Sequence, residues 1–191
     1  CRGRMPIAEP LFAWHGYYLV PNPTPVVGLA PSLVLVDQTH IPQAITPTRL
    51  HTIAQVAIEA PRFIVSLAEG GAGASIPQHA HIQVWDVGLP IEEVPASQME
   101  TWSEREGVAI RFFRQWAGAP VLVEGTDLEA VLGEVQAIVD QVHGMVDGRH
   151  SEGRPASVLA RSYPDGRLRF YIWGWNTERP WDSADPRRQF L

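Results

Sequence analysis

Only two stretches of this chain carry a long helical stripe, and each is flanked on both sides by a pair of short β runs. ITPTRLHTIAQVAIEA offers Thr46 as N-cap and Pro47 at the first helical position, with Leu50, Ile53, Ala54, Ala57 and Ile58 at helical spacing. Pro61 stops it. TDLEAVLGEVQAIVDQVHGMVDG has Thr126 and Glu129 in capping-box spacing and a stripe of Leu128, Val131, Leu132, Val135, Ile138, Val139 and Val142. GYYLVP (16–21) and SLVLV (32–36) precede the first helix, and RFIVSL (62–67) and HAHIQVW (79–85) follow it. GVAIRFFR (107–114) and PVLVE (120–124) precede the second, and ASVLARSYPDGRLRFYIWGW supplies two more strands around a Pro-Asp-Gly turn at 164–166. The order strand, strand, helix, strand, strand therefore occurs twice, a doubling of topology rather than of sequence.

The chain is 191 residues long, which fits a single domain. It divides into a front half (11–87), a polar linker or lid (88–106), a back half (107–175) and a surface tail (176–191). With 45% hydrophobic and 19% charged residues it can bury a core large enough to offset the entropy of ordering. A net charge of −6 argues against a phosphate-backbone footprint, so nucleic acid is not an expected partner. The single cysteine, Cys1, excludes an internal disulfide and a multi-cysteine zinc site and fits a reducing compartment. No run approaches the ~18 apolar residues of a membrane span. The expectation is a soluble, cytoplasmic protein with no membrane partner.

The chemistry concentrates in GGAGASIPQHAHIQVW (70–85). In a strand alternate side chains share a face, so His79, His81, Gln83 and Trp85 would line one side and Ala80, Ile82 and Val84 the other. Solvent on the polar side accounts easily for a lone histidine, but less well for two histidines and a glutamine in register behind a glycine loop. One functional reading is a cupin-like metal site, because Gly73, His79, His81 and Asp86 match the spacing of the first cupin motif. Against it, the chain has two clear helices and no second motif near His143 or His150. The other reading is phosphorus chemistry. Gly70, Gly71 and Gly73 let backbone N–H groups approach phosphate oxygens, Ser75 adds a hydroxyl, and a neutral imidazole attacks the α-phosphorus.

Gly73-Ala74-Ser75-Ile76-Pro77-Gln78-His79-Ala80-His81-Ile82-Gln83 resembles the G-A-S-x-P-x-H-x-H-x-Q signature of the histidine-triad (HIT-like) superfamily, in its branch of uridylyltransferases and nucleotide phosphorylases. LVPNPTPVVGLAPSLVLV, THIPQAIT and PASVLARSYPDGRLRFYIW resemble flanking segments of that branch. The resemblance implies an α+β fold, an antiparallel sheet with packed helices whose second half is a degenerate repeat of the first. It implies that His81 is the nucleophile, that His79 orders the site, and that Gln83 stands where the superfamily's hydrolases carry a third histidine. Gly71, Gly73, Ala74, Ser75 and Asn22 would then face the nucleotide and its phosphates. The implied reaction is nucleotidyl transfer to phosphate or a sugar phosphate, with no cofactor and room for a homodimer; the metal-binding cysteines of the uridylyltransferases have no counterpart here, so no metal is expected. Hydrolysis on the same site is the alternative.

Departures from the pattern are Glu69 and Ser157, each where relatives carry Asn, and a closing segment FYIWGWNTERPW with only Arg179 as a basic residue. Arg161, Arg167 and Arg169 read as solvated hairpin faces, Glu92 and Glu93 as solvated linker residues. Trp173 and Trp175 read as sheet packing rather than base stacking.

Overall fold

The computed structural model describes residues 12–22, 31–74, 76–113, 115–116, 118–145 and 154–175. Ser75, His150, Arg179 and the tail 176–191, each given a role or a place by the sequence, lie outside the described residues.

Among the described residues ten strands form one antiparallel sheet: β1 (Phe12–Trp14), β2 (Tyr17–Pro21), β3 (Ser32–Asp37), β4 (Ile64–Ala68), β5 (His81–Trp85), β6 (Glu100–Arg105), β7 (Val108–Phe112), β8 (Val121–Gly125), β9 (Ala156–Ser162) and β10 (Leu168–Gly174). Helix α1 (Pro47–Glu59) lies between β3 and β4, and α2 (Leu128–Gly144) between β8 and β9. The expected α+β antiparallel architecture is present. Thr46 caps α1 by accepting from the Arg49 N–H, and Pro47 opens the helix, as the sequence predicts. At α2 the cap is Asp127, whose carboxylate accepts from the Ala130 N–H, rather than Thr126. A carboxylate one residue nearer the helix faces the open N–H groups directly.

Both helices pack on one face of the sheet, over Val65, Leu67, Ile82 and Val84 in front and Val158, Ala160, Phe170 and Ile172 behind. The α2 stripe is buried as expected from Val131 to Val142, with Leu128 at its margin, whereas Ile58 of α1 is 46% exposed. Position 58 falls at the edge of the α1 arc, beyond the sheet it covers.

Sheet order is β1-β2-β3-β5-β4-β9-β10-β8-β7-β6. Read inward from either edge the two halves are alike, which is the degenerate repeat. The register of the pairs shows which positions correspond. The edge hairpins turn at His15-Gly16 and Glu106-Gly107, all four with positive φ. The next residues pair alike, Tyr17 with Asp37 and Val108 with Gly125, and one step on Val36 pairs with His81 as Glu124 does with Arg169. Arg169, Tyr171 and Trp173 thus stand where His81, Gln83 and Trp85 stand in front. Ser66 and Leu159, paired with each other where β4 meets β9, mark the dyad.

The stretch 88–106 is more than a linker. Residues 100–105 form β6 on the far edge, where Thr101 and Arg111 pair across a strand too polar to signal itself. Residues 86–99 strap the face opposite the helices, with Ile91 buried against Ile64, Leu159 and Tyr171. Glu92 is the strap's polar anchor, and the expectation of a solvated side chain there is overturned. Its carboxylate takes both hydrogen bonds from Arg161 Nη1 at 3.0 Å and one from the Tyr163 hydroxyl at 2.6 Å. Arg161, also expected in solvent, is only 16% exposed and donates through Nη2 to the carbonyls of Arg62 and Val87. Neighbouring residues on one chain give no hint of this pair because its members are 69 positions apart.

Candidate active site

His81 opens β5 on the face away from the helices and pairs with Val36 on one side. On its other side β4 has already parted from β5, since their last pair is Ser66 with Gln83. The gap is bridged by a side chain. Gln43, buried in the approach to α1, accepts the His81 N–H at 2.7 Å and donates to the His81 carbonyl at 2.8 Å and the Ala68 carbonyl at 3.0 Å. Its amide behaves like a peptide unit inserted into the ladder, and its own backbone N–H donates to the Pro77 carbonyl. One residue therefore ties together the end of β4, the start of β5 and the loop between them. In the sequence Gln43 is merely part of the THIPQAIT segment, with no role of its own. Its one signal is a glutamine wedged between Pro42 and apolar Ala44 and Ile45 ahead of a capped helix.

The His81 ring makes a defined contact: Nδ1 lies 2.9 Å from the His79 carbonyl oxygen. A carbonyl only accepts, so Nδ1 carries the proton, and in the neutral ring Nε2 keeps its lone pair. His79 does not lie in the strand as expected. It closes the turn before it, with its N–H on the Ile76 carbonyl, its Nε2 donating to the Asp37 carbonyl at 2.9 Å and its ring edge-on to His40. Its ring is thereby committed to holding the turn whose carbonyl orients His81. Gln83 is on the His81 face of β5, half-buried, beside Val34 and Ser66. Asn22 continues β2 by one residue, its N–H on the Ser32 carbonyl and its amide on the Ser32 hydroxyl at 3.1 Å; Ser32 pairs with Trp85 of β5.

The glycine run folds as a single 3-10 turn, Gly70–Ala72, ended by Gly73 in the left-handed region at φ 101°. Gly73 faces open space, so its glycine is demanded by the backbone, whereas a Cβ at Gly70 would sit 2.8 Å from Pro77 Cβ. The Ala74 N–H and the Ala72 N–H both turn back to the Glu69 carbonyl, which closes the turn. Gly71 stands exposed on the turn.

Glu69, which breaks the family pattern, is the anchor of this loop. Its Oε1 accepts from the Ile45 N–H at 3.0 Å, and its Oε2 from the Ala156 N–H and from His143 Nε2, both at 2.8 Å. It thus joins the loop to the α1 approach, the end of α2 and β9. Ser157, the other departure, receives the Trp175 indole N–H at 2.8 Å and lies 3.5 Å from the Ala72 carbonyl. Trp173 stacks near Tyr171 under the strap, which agrees with sheet packing. Among the described residues no group of three or more His, Cys, Asp or Glu is placed to hold a metal. The two histidines are not a same-strand pair, since His79 lies in the turn before β5 and His81 opens β5. No helix among the described residues is long and apolar enough to cross a membrane.

The family model matching residues 1–86 describes a domain of unknown function (DUF4922). No curated protein matches the sequence. Among solved structures, a DUF4931 family protein from Bacillus cereus superposes with a TM-score of 0.63 at 12% identity, over 87% of this chain and 85% of that one. Yeast Ap4A phosphorylase in complex with AMP gives 0.60 at 17% identity, over 88% of this chain and 60% of the enzyme. The chain thus spans about three fifths of the phosphorylase's length. A GalT-like protein from Arabidopsis thaliana gives 0.51 at 15% identity, over 87% and 78%. At these identities the likeness is one of fold alone.

Proposed function

We propose that this chain is a nucleotidyltransferase or phosphorylase working through a covalent nucleotidyl-histidine at His81. Its substrate would be a nucleoside diphosphate-linked compound or a dinucleoside polyphosphate. The observation that carries the reading is the 2.9 Å contact of His81 Nδ1 with the His79 carbonyl oxygen, which as a hydrogen bond puts the proton on Nδ1 and the lone pair for attack on Nε2. The Nε2 lone pair attacks the α-phosphorus, the bond from phosphorus to the leaving phosphate oxygen breaks, and its electron pair departs with that oxygen. The positive charge gained by the imidazole is shared with the His79 carbonyl through the Nδ1 proton. An oxygen of phosphate or a sugar phosphate then displaces the histidine, returning the electron pair to Nε2.

Gly71 and Gly73 allow close approach of phosphate oxygens to the loop, and Asn22 lies along the same face for the nucleoside. Gln83 can hydrogen-bond the phosphate but cannot supply a proton to a leaving group at neutral pH, and the resemblance to the transferase branch, where this position is not a histidine, implies a phosphorylated acceptor rather than water. A likeness of fold to Ap4A phosphorylase supports the same reading. The test is acceptor dependence: with a panel of dinucleotide and nucleotide-sugar substrates, turnover should rise at least tenfold on adding phosphate or a sugar phosphate. Equal release of nucleoside monophosphate with and without an acceptor would replace the transferase with a hydrolase.

A further inference from the structure

At the dyad counterpart of His81 the back half builds a cluster of the opposite chemistry. Glu124, only 6% exposed, accepts from Arg111 Nε at 3.1 Å on Oε1 and from Arg169 Nε at 2.9 Å on Oε2. Arg167 Nη1 lies 3.6 Å from the same Oε1. Three guanidinium groups thus share one buried carboxylate, and Asp165, which lies 3.6 Å from Arg167, is an exposed turn residue. The contrast is Arg161, which is matched one to one by Glu92. Positive charge is left over at this spot in a chain of net −6.

The orientation of the groups matters as much as their number. Arg111 and Arg169 both meet Glu124 through Nε, so the bonds they make to it do not use their terminal nitrogens. Arg111 Nη1 donates to the Thr101 hydroxyl, and neither Arg111 nor Arg169 meets a second carboxylate among the described residues. The Arg169 guanidinium is also laid over the Tyr163 ring, 4.3 Å from its centroid. Side chains that would normally lose much rotamer entropy on binding are therefore already fixed, with planar donor forks beyond the carboxylate they share.

We infer that Arg111, Arg167 and Arg169 form a second anion site, selective for a dianionic phosphoryl group and separate from the loop at 70–83. The surplus charge of the cluster and the fork geometry of its donors fit a phosphate better than a carboxylate. By strand spacing it lies ~20 Å from His81 on the same face of the sheet, beyond the strap. Inorganic phosphate and a phosphate monoester share this chemistry, and the experiment separates them.

The full-length chain is titrated calorimetrically with inorganic phosphate, with phenyl phosphate and with benzoate, at constant ionic strength. Binding of phenyl phosphate at least tenfold tighter than inorganic phosphate assigns a monoester ligand, the reverse assigns free phosphate, and benzoate should not bind. Arg169→Gln should weaken phosphate binding at least tenfold while covalent labelling of His81 persists. Arg167→Ala, which removes the most exposed of the three and threatens the fold least, should weaken it at least threefold. Phosphate binding unchanged in both variants, or absent from the unaltered chain, overturns the inference, whereas covalent labelling of His81, which needs no acceptor, is unaffected by either result.

Discussion

Replacing Gln43 with leucine removes the amide that completes the sheet beside His81 while keeping a side chain of similar length. Three backbone groups lose their partner: the His81 N–H, the His81 carbonyl and the Ala68 carbonyl. In a β-strand a residue's N–H and C=O point to the same side, and here both of His81's point into the gap left by β4 rather than toward β3. No strand can take over. An orphaned buried group costs ~1–3 kcal/mol, so three imply roughly 3–9 kcal/mol, toward the lower end where water enters. A domain of this size has on the order of 10 kcal/mol of stability, so the variant remains folded and can be assayed. The larger effect is on chemistry, because displacing the His81 ring by ~1 Å is expected to lower turnover ~100-fold.

Gln43→Glu sharpens the test. The carboxylate can still accept from the His81 N–H, but it faces two carbonyl oxygens with no proton to give them. Thermal unfolding and initial-rate kinetics on both variants are the assay. The expected pattern is a lower Tm in both, with kcat reduced far more than KM. A variant with lowered Tm and unaltered kcat would show that Gln43 holds the fold without aiming His81. An unchanged Tm would mean that the inserted amide contributes nothing at all.

Other outcomes follow from the same geometry. Glu92→Leu leaves the Arg161 guanidinium uncompensated beneath the strap and should destabilise by about 3–5 kcal/mol in chemical denaturation, whereas the double change with Arg161→Leu should recover much of the loss. Burial, followed by the hydrogen bond to Glu92, pushes the Tyr163 hydroxyl well above the usual phenol range. The folded state therefore holds that proton more tightly, so stability is complete below about pH 10 and falls as pH rises further, by up to ~1.4 kcal/mol per pH unit for one proton. Tyr163→Phe should flatten that alkaline limb in a pH series of denaturation curves. Gln83→His should raise acceptor-independent hydrolysis relative to transfer, read as nucleoside monophosphate released without phosphate.

Much of the architecture is legible in the sequence because hydrophobic period and capping chemistry are local. The α2 stripe from Val131 to Val142 and the Thr46-Pro47 start of α1 need no tertiary information. What cannot be read there is set by partners far along the chain. Arg161 and Glu92 look like surface residues because nothing nearby matches them, and β6 is hidden because an edge strand with Glu100, Ser103, Glu104 and Arg105 lacks an apolar face. The site divides in the same way. The motif singles out His81, Gln83 and the glycine turn as candidates, since these are contiguous. Glu69, Ser157 and Gln43 stand out only as departures or background, yet they join the loop to α2, to β9 and to the start of β5. A side chain inserted into a sheet ladder leaves no periodic trace.

Everything proposed for this site turns on one bond, between His81 Nε2 and an α-phosphorus. Incubating the full-length chain with α-labelled dinucleoside polyphosphates and nucleotide sugars, quenching under alkaline conditions that preserve phosphohistidine, and mapping the label by peptide mass spectrometry measures it directly. The expected result is one nucleotidyl group per chain, on His81, discharged by phosphate or a sugar phosphate and absent from His81→Ala. No label from any of these donors, or label retained in His81→Ala, would contradict it.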